Sequence, residues 1–292
     1  MLACKRETPA PPAPPEPPRP AIAVVDASVP ASSSSEIVDA GPIERHAKKA
    51  KSIGHTSVVF KIEQTDGKKI VWKPDSRIGK GRYRGEIAAY RLATLLGIDN
   101  VPPALPLDIS RDELARAVAG DEKGKQLFEE QVVFDGTVAH GMFTEWIDDY
   151  AVLPLENDNA WKGWLKKDGA IPDEKKEWAR AISTLVLFDY VTGNWDRWSG
   201  GNVATSKGKI LYVDNDGAFF ETPPKDGLAR NKRYLESVDR FSKSFVEKLR
   251  VLTEHDVRDS MRGVLSDKAL AGVLVRRDEA LAIVDKKELF FD

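Results

Sequence analysis

The order of periodicities along the chain constrains its fold most. β-type runs are confined to the first half, and helical spacing takes over after about residue 150. "TSVVFKIE" (56–63) and "KKIVWKP" (68–74) are β-branched and apolar, and "QTDG" joins them. The Asp66-Gly67 pair within that join is a hairpin turn signal. A helix is predicted over 82–97, where Ile87, Tyr90, Leu92, Leu95 and Leu96 fall at near-helical spacing and Gly97 supplies a stop. The prolines of "VPPALPLDI" disfavour a helix, so this stretch is expected to be extended. A short helix over 111–118 and a strand over 137–147 follow. Then "DEKKEWARAISTLVLFDYVTGN" (173–194) places Trp178, Ala181, Ile182, Leu185 and Phe188 on one stripe and ends at Gly193. "KILYVD" (209–214) is a short strand, and from about 234 the pattern is helical. Strands first and helices after predict an α+β fold of two lobes, a small β-rich N-lobe and a larger helical C-lobe.

Residues 1–20 hold eight prolines, and residues 21–52 are Ala-, Ser- and charge-mixed with an "SSSS" run. Residues 1–52 therefore read as an extended linker. The folded domain is expected over 53–292, with the N-lobe at about 53–147 and the C-lobe at about 148–292. The opening "MLAC" resembles the end of a bacterial lipoprotein signal, with small Ala3 before Cys4. The expectation is a lipid tether at Cys4 that places the domain at a bacterial cell envelope; without lipidation the reading is cytoplasmic. The single cysteine rules out an intrachain disulfide and a Cys-rich zinc site. Apolar runs such as "AIAVV" fall far short of the ~20 residues a membrane span needs. Forty-four Lys and Arg face 46 Asp and Glu, so the basic excess of a nucleic-acid binder is absent.

The stretch that carries chemistry is residues 189–216, "DYVTGNWDRWSGGNVATSKGKILYVDND". Phosphoryl transfer needs a cation on the nucleotide phosphates and a carboxylate to steady it. It also needs oxygen ligands for a metal and a carboxylate facing the attacking hydroxyl. Lys73, in "IVWKP", would reach phosphates from a rigid strand, although alone it reads as a surface lysine. Glu86, in the first long helix, either pairs with such a lysine or faces solvent. Asp196, just after the Gly193 stop, has Gly200 and Gly201 nearby, so backbone can approach a ligand closely. Asn202 offers an amide oxygen and Asp214 a carboxylate at a strand end, a set that suits Mg²⁺ or Mn²⁺. The bland alternative is a polar turn, since Gly, Asn and Asp are turn residues. A calcium loop starting at Asp214 fails, because Ala218, Phe219 and Lys225 occupy places that need Asp or Asn, Gly and Glu. No P-loop and no Gly-rich G-x-G-x-x-G precede Lys73; Gly54, in "SIGHTS", is the one glycine just ahead of the first predicted strand. The basic loop Ser76–Arg84, with Arg77, Lys80, Arg82 and Arg84, reads as a receiver of acidic substrate or as a solvated loop.

The pieces "FKIEQTDGKKIVWKP", "GEIAAYRLATLLGIDNVPP", "LFDYVTGNWDR" and "LYVDNDGAFF" together resemble the secretory-pathway kinases of the Golgi casein kinase and Four-jointed type. That type sits within the wider HipA-like and phosphatidylinositol-kinase-like superfamily. The resemblance implies a two-lobed kinase-like fold that binds ATP with Mg²⁺ or Mn²⁺. It implies Lys73 as the nucleotide lysine, Glu86 as its helix carboxylate, Asp196 as the catalytic aspartate, and Asp214 and Asn202 as metal ligands. The partners it implies are ATP and a hydroxyl on a protein Ser/Thr, a sugar or a lipid headgroup. Two departures stand out: Trp198 occupies a place where many relatives have His, and the disulfides of casein-kinase-like members are impossible here. The rival from another class is a pseudokinase, an envelope-tethered binding module that transfers nothing. An antibiotic-kinase reading is disfavoured because Asn194, not His, lies two residues before Asp196.

Overall fold

The first strand, β1 (Ala47–Ser52), runs antiparallel to β2 (Phe60–Gln64). The computed structural model describes residues 46–54 and 56–292, all within the unit Glu44–Asp292. The linker expected through residue 52 therefore yields to sheet from Ala47, a correction with a clear cause. The strand reads AKKAKS, with no β-branched residue to signal it. It is made a strand by what it touches. Two short helices, α2 (Arg111–Ala117) and α3 (Glu122–Glu130), pack on it. The Ala47 amide donates to Glu113 Oε1 (2.5 Å), and the Ser52 amide donates to Asp121 Oδ2 (2.6 Å). Its lysines guard the sheet edge against further pairing. The expected Cys4 tether and the proline-rich segment lie outside the described residues.

β2 continues through the predicted turn into β3 (Lys69–Pro74). Gly67 takes φ +83°, and the Asp66 side chain accepts from the Lys68 amide at 2.9 Å. After α1 (Tyr83–Leu95) come β4 (Leu105–Pro106), β5 (Ile109–Ser110), β6 (Val138–Ala139) and β7 (Gly141–Glu145). The five-stranded sheet has the order β1-β2-β3-β7-β4. On β3, alternation sends Ile70 and Trp72 into the core with Phe60, Ile62 and Leu114, and sends Lys73 to the other side. α1 buries two faces: Ile87 meets Met142 of β7, while Ala88, Leu92 and Leu96 join the core of the helical lobe.

The chain leaves this sheet after Glu145 and enters a second one at β8 (Ala151–Val152), which pairs with β9 (Val203–Ser206) and through it β10 (Lys209–Tyr212). Between β8 and β9 lie the short α4 (Ala160–Trp164) and the long α5 (Lys176–Thr192). α5 departs from the one-sided stripe predicted for it. Every residue from Ile182 to Thr192 is buried, whereas Trp178 and Ala181 near its start are only partly covered. A helix apolar on all sides is a central one. α6 (Lys225–Ser237), α7 (Lys243–Val251), α8 (Glu254–Ser260) and α9 (Asp267–Val284) complete the lobe. Phe241 of β11 (Phe241–Ser242) pairs with Phe290 of β12 (Phe290–Phe291). α6 begins well before the helical pattern expected from about 234, because its buried face holds only Gly227, Asn231 and Leu235. The fold is the α+β, two-lobed arrangement read from the sequence. Among the described residues no helix is long and apolar enough to cross a membrane.

Candidate active site

The site begins with Lys73. The residue is 7 % exposed, and its ammonium donates to Glu86 Oε1 at 2.7 Å, Asp214 Oδ1 at 2.8 Å and Asp216 Oδ2 at 3.1 Å. Burial opposes the charge on Lys73, but the carboxylates of Glu86, Asp214 and Asp216 outweigh it and hold the ammonium well above the ordinary lysine value. Glu86 is thus turned inward, which resolves the choice its helix position left open. Its second oxygen, Oε2, accepts the Asn215 amide at 2.9 Å.

Close backbone approach makes this possible. A Cβ on Gly85 would lie 2.8 Å from the Asn215 carbonyl oxygen, so only glycine lets α1 rest on the turn after β10. Within that turn, a Cβ on Gly217 would lie 2.9 Å from both Asn194 Oδ1 and Asp196 Cβ. Asp196 therefore sits directly against the turn that carries Asp214 and Asp216. Asp214 itself is not the last strand residue expected; β10 stops at Tyr212, and Asp214 takes a left-handed φ of +54°. That backbone leaves its side chain 41 % exposed beside Lys73. Burial would raise the Asp214 carboxyl, yet the Lys73 ammonium outweighs it and holds the group below the usual carboxylate value. Burial raises Asp216, with the Asp214 and Glu86 charges adding to it against Lys73.

Asp196 follows the α5 stop at Gly193, where φ is +66°. Ser199 Oγ donates to Asp196 Oδ1 at 2.6 Å, which fixes one carboxylate oxygen. Asn202 Nδ2 donates to the Asp196 carbonyl at 2.7 Å, and this orients the amide. Asn202 and Val213 carbonyls both accept from Arg197 Nη1, so Asn202 lies beside the start of the Asp214 turn. Of the five residues expected from the sequence, Lys73, Glu86 and Asp214 are joined directly, while Asp196 adjoins the turn after β10 and Asn202 is tied to it through Arg197. Thr56, Ser57 and Val58, from the turn between β1 and β2, line the same cleft as Lys73, Arg82 and Asp216.

Four further residues were not singled out from the sequence. Asp216 accepts from Arg82 Nη2 at 2.5 Å as well as from Lys73, so one arginine of the basic loop is committed to the site while Arg77, Lys80 and Arg84 stay exposed. Arg197 is fully buried and donates through Nε to Asp189 Oδ1 and Oδ2 at 3.1 and 3.0 Å and through Nη2 to Asn215 Oδ1 at 2.5 Å. Burial pushes the Asp189 carboxyl up to about 6, against the pull of Arg197. A usable signal existed for Arg197, a cation flanked by Asp196 and Trp198 in the Gly-rich "GNWDRWSGG"; for Asp216 and Asn215 the only signal was adjacency to Asp214. Trp198 is a packing residue. It is 5 % exposed and stacks on Tyr234 (4.1 Å between centroids) and on Trp161 (5.7 Å).

The donor set fits a hard divalent cation. Among the described residues no cluster of three His, Cys, Asp or Glu is arranged as a metal cage, and Mg²⁺ sites of this chemistry use one or two carboxylates plus substrate phosphates. Lys73 and Arg82 face Glu86, Asp214 and Asp216, two cations against three carboxylates, an excess of one negative charge that such an ion would balance.

A two-lobed kinase fold with a paired strand lysine between its lobes is the class these observations define. No family model matches the chain. Four-jointed box protein 1 of Xiphophorus maculatus is 24 % identical over 267 residues, covering 76 % of this chain and 58 % of that protein. The chain thus spans a little over half the length of that relative. Among solved structures, hydra Fam20 with sugar matches with a TM-score of 0.60 at 14 % identity, over 85 % of this chain and 89 % of that one. The Golgi casein kinase with Mn/ADP bound matches with a TM-score of 0.59 at 14 % identity, over 82 % and 73 %. The resemblance to the Golgi casein kinase and Four-jointed type holds in both comparisons; the wider HipA-like grouping gains no support from them.

Proposed function

We propose that this chain is an ATP-dependent kinase that transfers the γ-phosphoryl group to a hydroxyl of a protein or a sugar. The observation that carries this reading is the Lys73 ammonium, held 2.7 Å from Glu86 and 2.8 Å from Asp214, residue 214 lying 141 positions away in the other lobe. Lys73 binds the nucleotide phosphates as a point charge, and Glu86 keeps it in place. The turn at Thr56–Val58 covers the phosphates in place of a Gly-rich loop. Asp214 and the Asn202 amide oxygen would hold Mg²⁺ or Mn²⁺, which would supply charge neutralisation on the phosphates. Asp196 accepts the proton of the attacking hydroxyl as the new O–P bond forms and the bond from the β-phosphate bridging oxygen to the γ-phosphorus breaks, leaving ADP. Positioning and electrostatics supply most of the rate in such a loose transition state. The pseudokinase reading drew on the missing Gly-rich loop and on Trp198; of these, Trp198 is occupied in core packing.

The test is transfer from ATP with Mn²⁺ or Mg²⁺ to a panel of protein and sugar hydroxyls, run beside Asp196→Ala and Asp214→Ala. Asp196→Ala is expected to lower turnover by roughly 10²–10⁴-fold. Near-wild-type transfer by that variant refutes its role, and nucleotide binding without transfer by the parent chain would establish the pseudokinase instead.

A further inference from the structure

A cavity of about 580 Å³ lies away from the kinase cleft, between the C-terminal end of α1, the first half of α5, the β9–β10 turn and α7. It includes none of Lys73, Glu86, Asp196 or Asp214. Its volume is within the range of sites that hold small organic ligands, roughly 300–1,000 Å³. Ile98, Trp178 and Phe245 supply apolar wall.

Two polar groups in its lining lack the partners they would ordinarily have. Thr184 is 4 % exposed, and its hydroxyl makes no hydrogen bond among the described residues, whereas the neighbouring Ser183 hydroxyl donates to the Arg180 carbonyl at 2.9 Å. Among the described residues the Lys248 ammonium reaches only the Gly97 carbonyl, at 3.3 Å, and no carboxylate. The acidic groups of the lining are already matched: Asp99 pairs with Lys209 at 2.5 Å and Glu177 pairs with Arg180. Lys207 lines the rim as a further cation, and among the described residues no carboxylate lies within salt-bridge distance of its ammonium. The α7 N-terminus offers nothing extra, since Asp292 already accepts from the Ser244 amide at 3.4 and 3.3 Å. Among the lining residues the surplus charge is positive, from Lys207 and Lys248, and it stands beside the Thr184 hydroxyl; Ile98, Trp178 and Phe245 share the wall with the polar Asn100, Ser242 and Ser244, the two serines being bonded to Asp292.

We infer that this cavity is a second ligand site, for an organic phosphate monoester of about the size of a sugar phosphate. A phosphate suits a lysine acting as a strongly hydrated point charge. The organic body meets Trp178 and Phe245, and a hydroxyl of that body satisfies Thr184. The inference is independent of the kinase reading.

The test is calorimetric titration of the full chain with glucose 6-phosphate, and separately with inorganic phosphate, beside Lys248→Glu and Thr184→Val. Lys248 is exposed on α7, so its replacement leaves the core intact. Glucose 6-phosphate is expected to saturate. Lys248→Glu should weaken it roughly tenfold or more, the size of a lost hydrogen bond to a charged group. Thr184→Val should weaken it by about 2–10-fold, with a melting temperature in the absence of ligand no lower than the parent's. Inorganic phosphate is expected to bind more weakly. No saturation up to about 10 mM, or equal affinity in Lys248→Glu, overturns the site; the latter would put the phosphate elsewhere, the kinase cleft included. Equal affinity for inorganic phosphate overturns the organic half of the inference.

Discussion

Arg197 donates to five acceptors on three segments: both oxygens of Asp189, the carbonyls of Asn202 and Val213, and the Asn215 side chain. Through Asn215 it is linked to Glu86, and through Glu86 to Lys73. Removing it leaves Asp189 buried without its counter-charge. Arg197→Met is expected to cost about 3–5 kcal/mol, measured by denaturant unfolding at neutral pH; a loss under about 1 kcal/mol would mean the pair is no more than a surface bridge in effect. Asp189 also carries a pH dependence. Its folded-state value of about 6 lies above the ordinary 3.8, so the folded chain binds this proton more readily than the unfolded one. Its contribution to stability is therefore fully present below the ordinary value and is lost as pH rises through about 6. Asp189→Asn should remove that component from a melting-temperature series between pH 4 and 7. An unchanged slope would show that Asp189 does not titrate there.

Elements meet at this site because of what two of them lack. α1 rests on the turn after β10 only because Gly85 has no side chain there. Gly85→Ala should push the helix from the turn, cost about 1–3 kcal/mol as an overpacked contact, and loosen the Glu86–Asn215 bond. Activity that falls no more than stability predicts would show the helix position to be irrelevant. β1 makes the complementary point. It has almost no apolar content, yet it covers β2 and receives α2 and α3. A chain starting at residue 53 exposes β2 as a sheet edge and uncovers Val58, Phe60 and Ile62. It is expected to melt several degrees below a chain starting at residue 45 and to associate at high concentration. Equal melting temperatures would demote β1 to an ornament of the sheet.

For the whole molecule, the site joins both lobes, so a ligand in it should stabilise them together. Mn²⁺ with ADP at one hundred times its dissociation constant is expected to add about 2.7 kcal/mol. For a domain of this length that is a rise in melting temperature of roughly 5–10 °C. Asp214→Ala should abolish the rise with Mn²⁺. A full shift in that variant would remove Asp214 from the metal site.

The sequence alone determined the hairpin at Asp66-Gly67, the helix carrying Glu86, the α5 stop before Asp196, and the strand-first, helix-after order, because each is written in local spacing or turn chemistry. It also singled out five candidate residues, by their order along the chain. Only the tertiary structure decided which way they point. Helical spacing leaves Glu86 free to face solvent or Lys73; the contact of Gly85 with Asn215 settles it. Asp214 and Asp216 look alike in sequence, and their difference in exposure follows from the left-handed backbone at Asp214 and from Arg82, which lies 134 residues from Asp216. Trp198 looked like a substitution in the chemistry and proved to be a ring in a core stack. β1 was invisible because its strand character comes from neighbours brought in from residues 111–130. In each case the missing information was a contact between residues far apart in the chain, and local periodicity carries none of it.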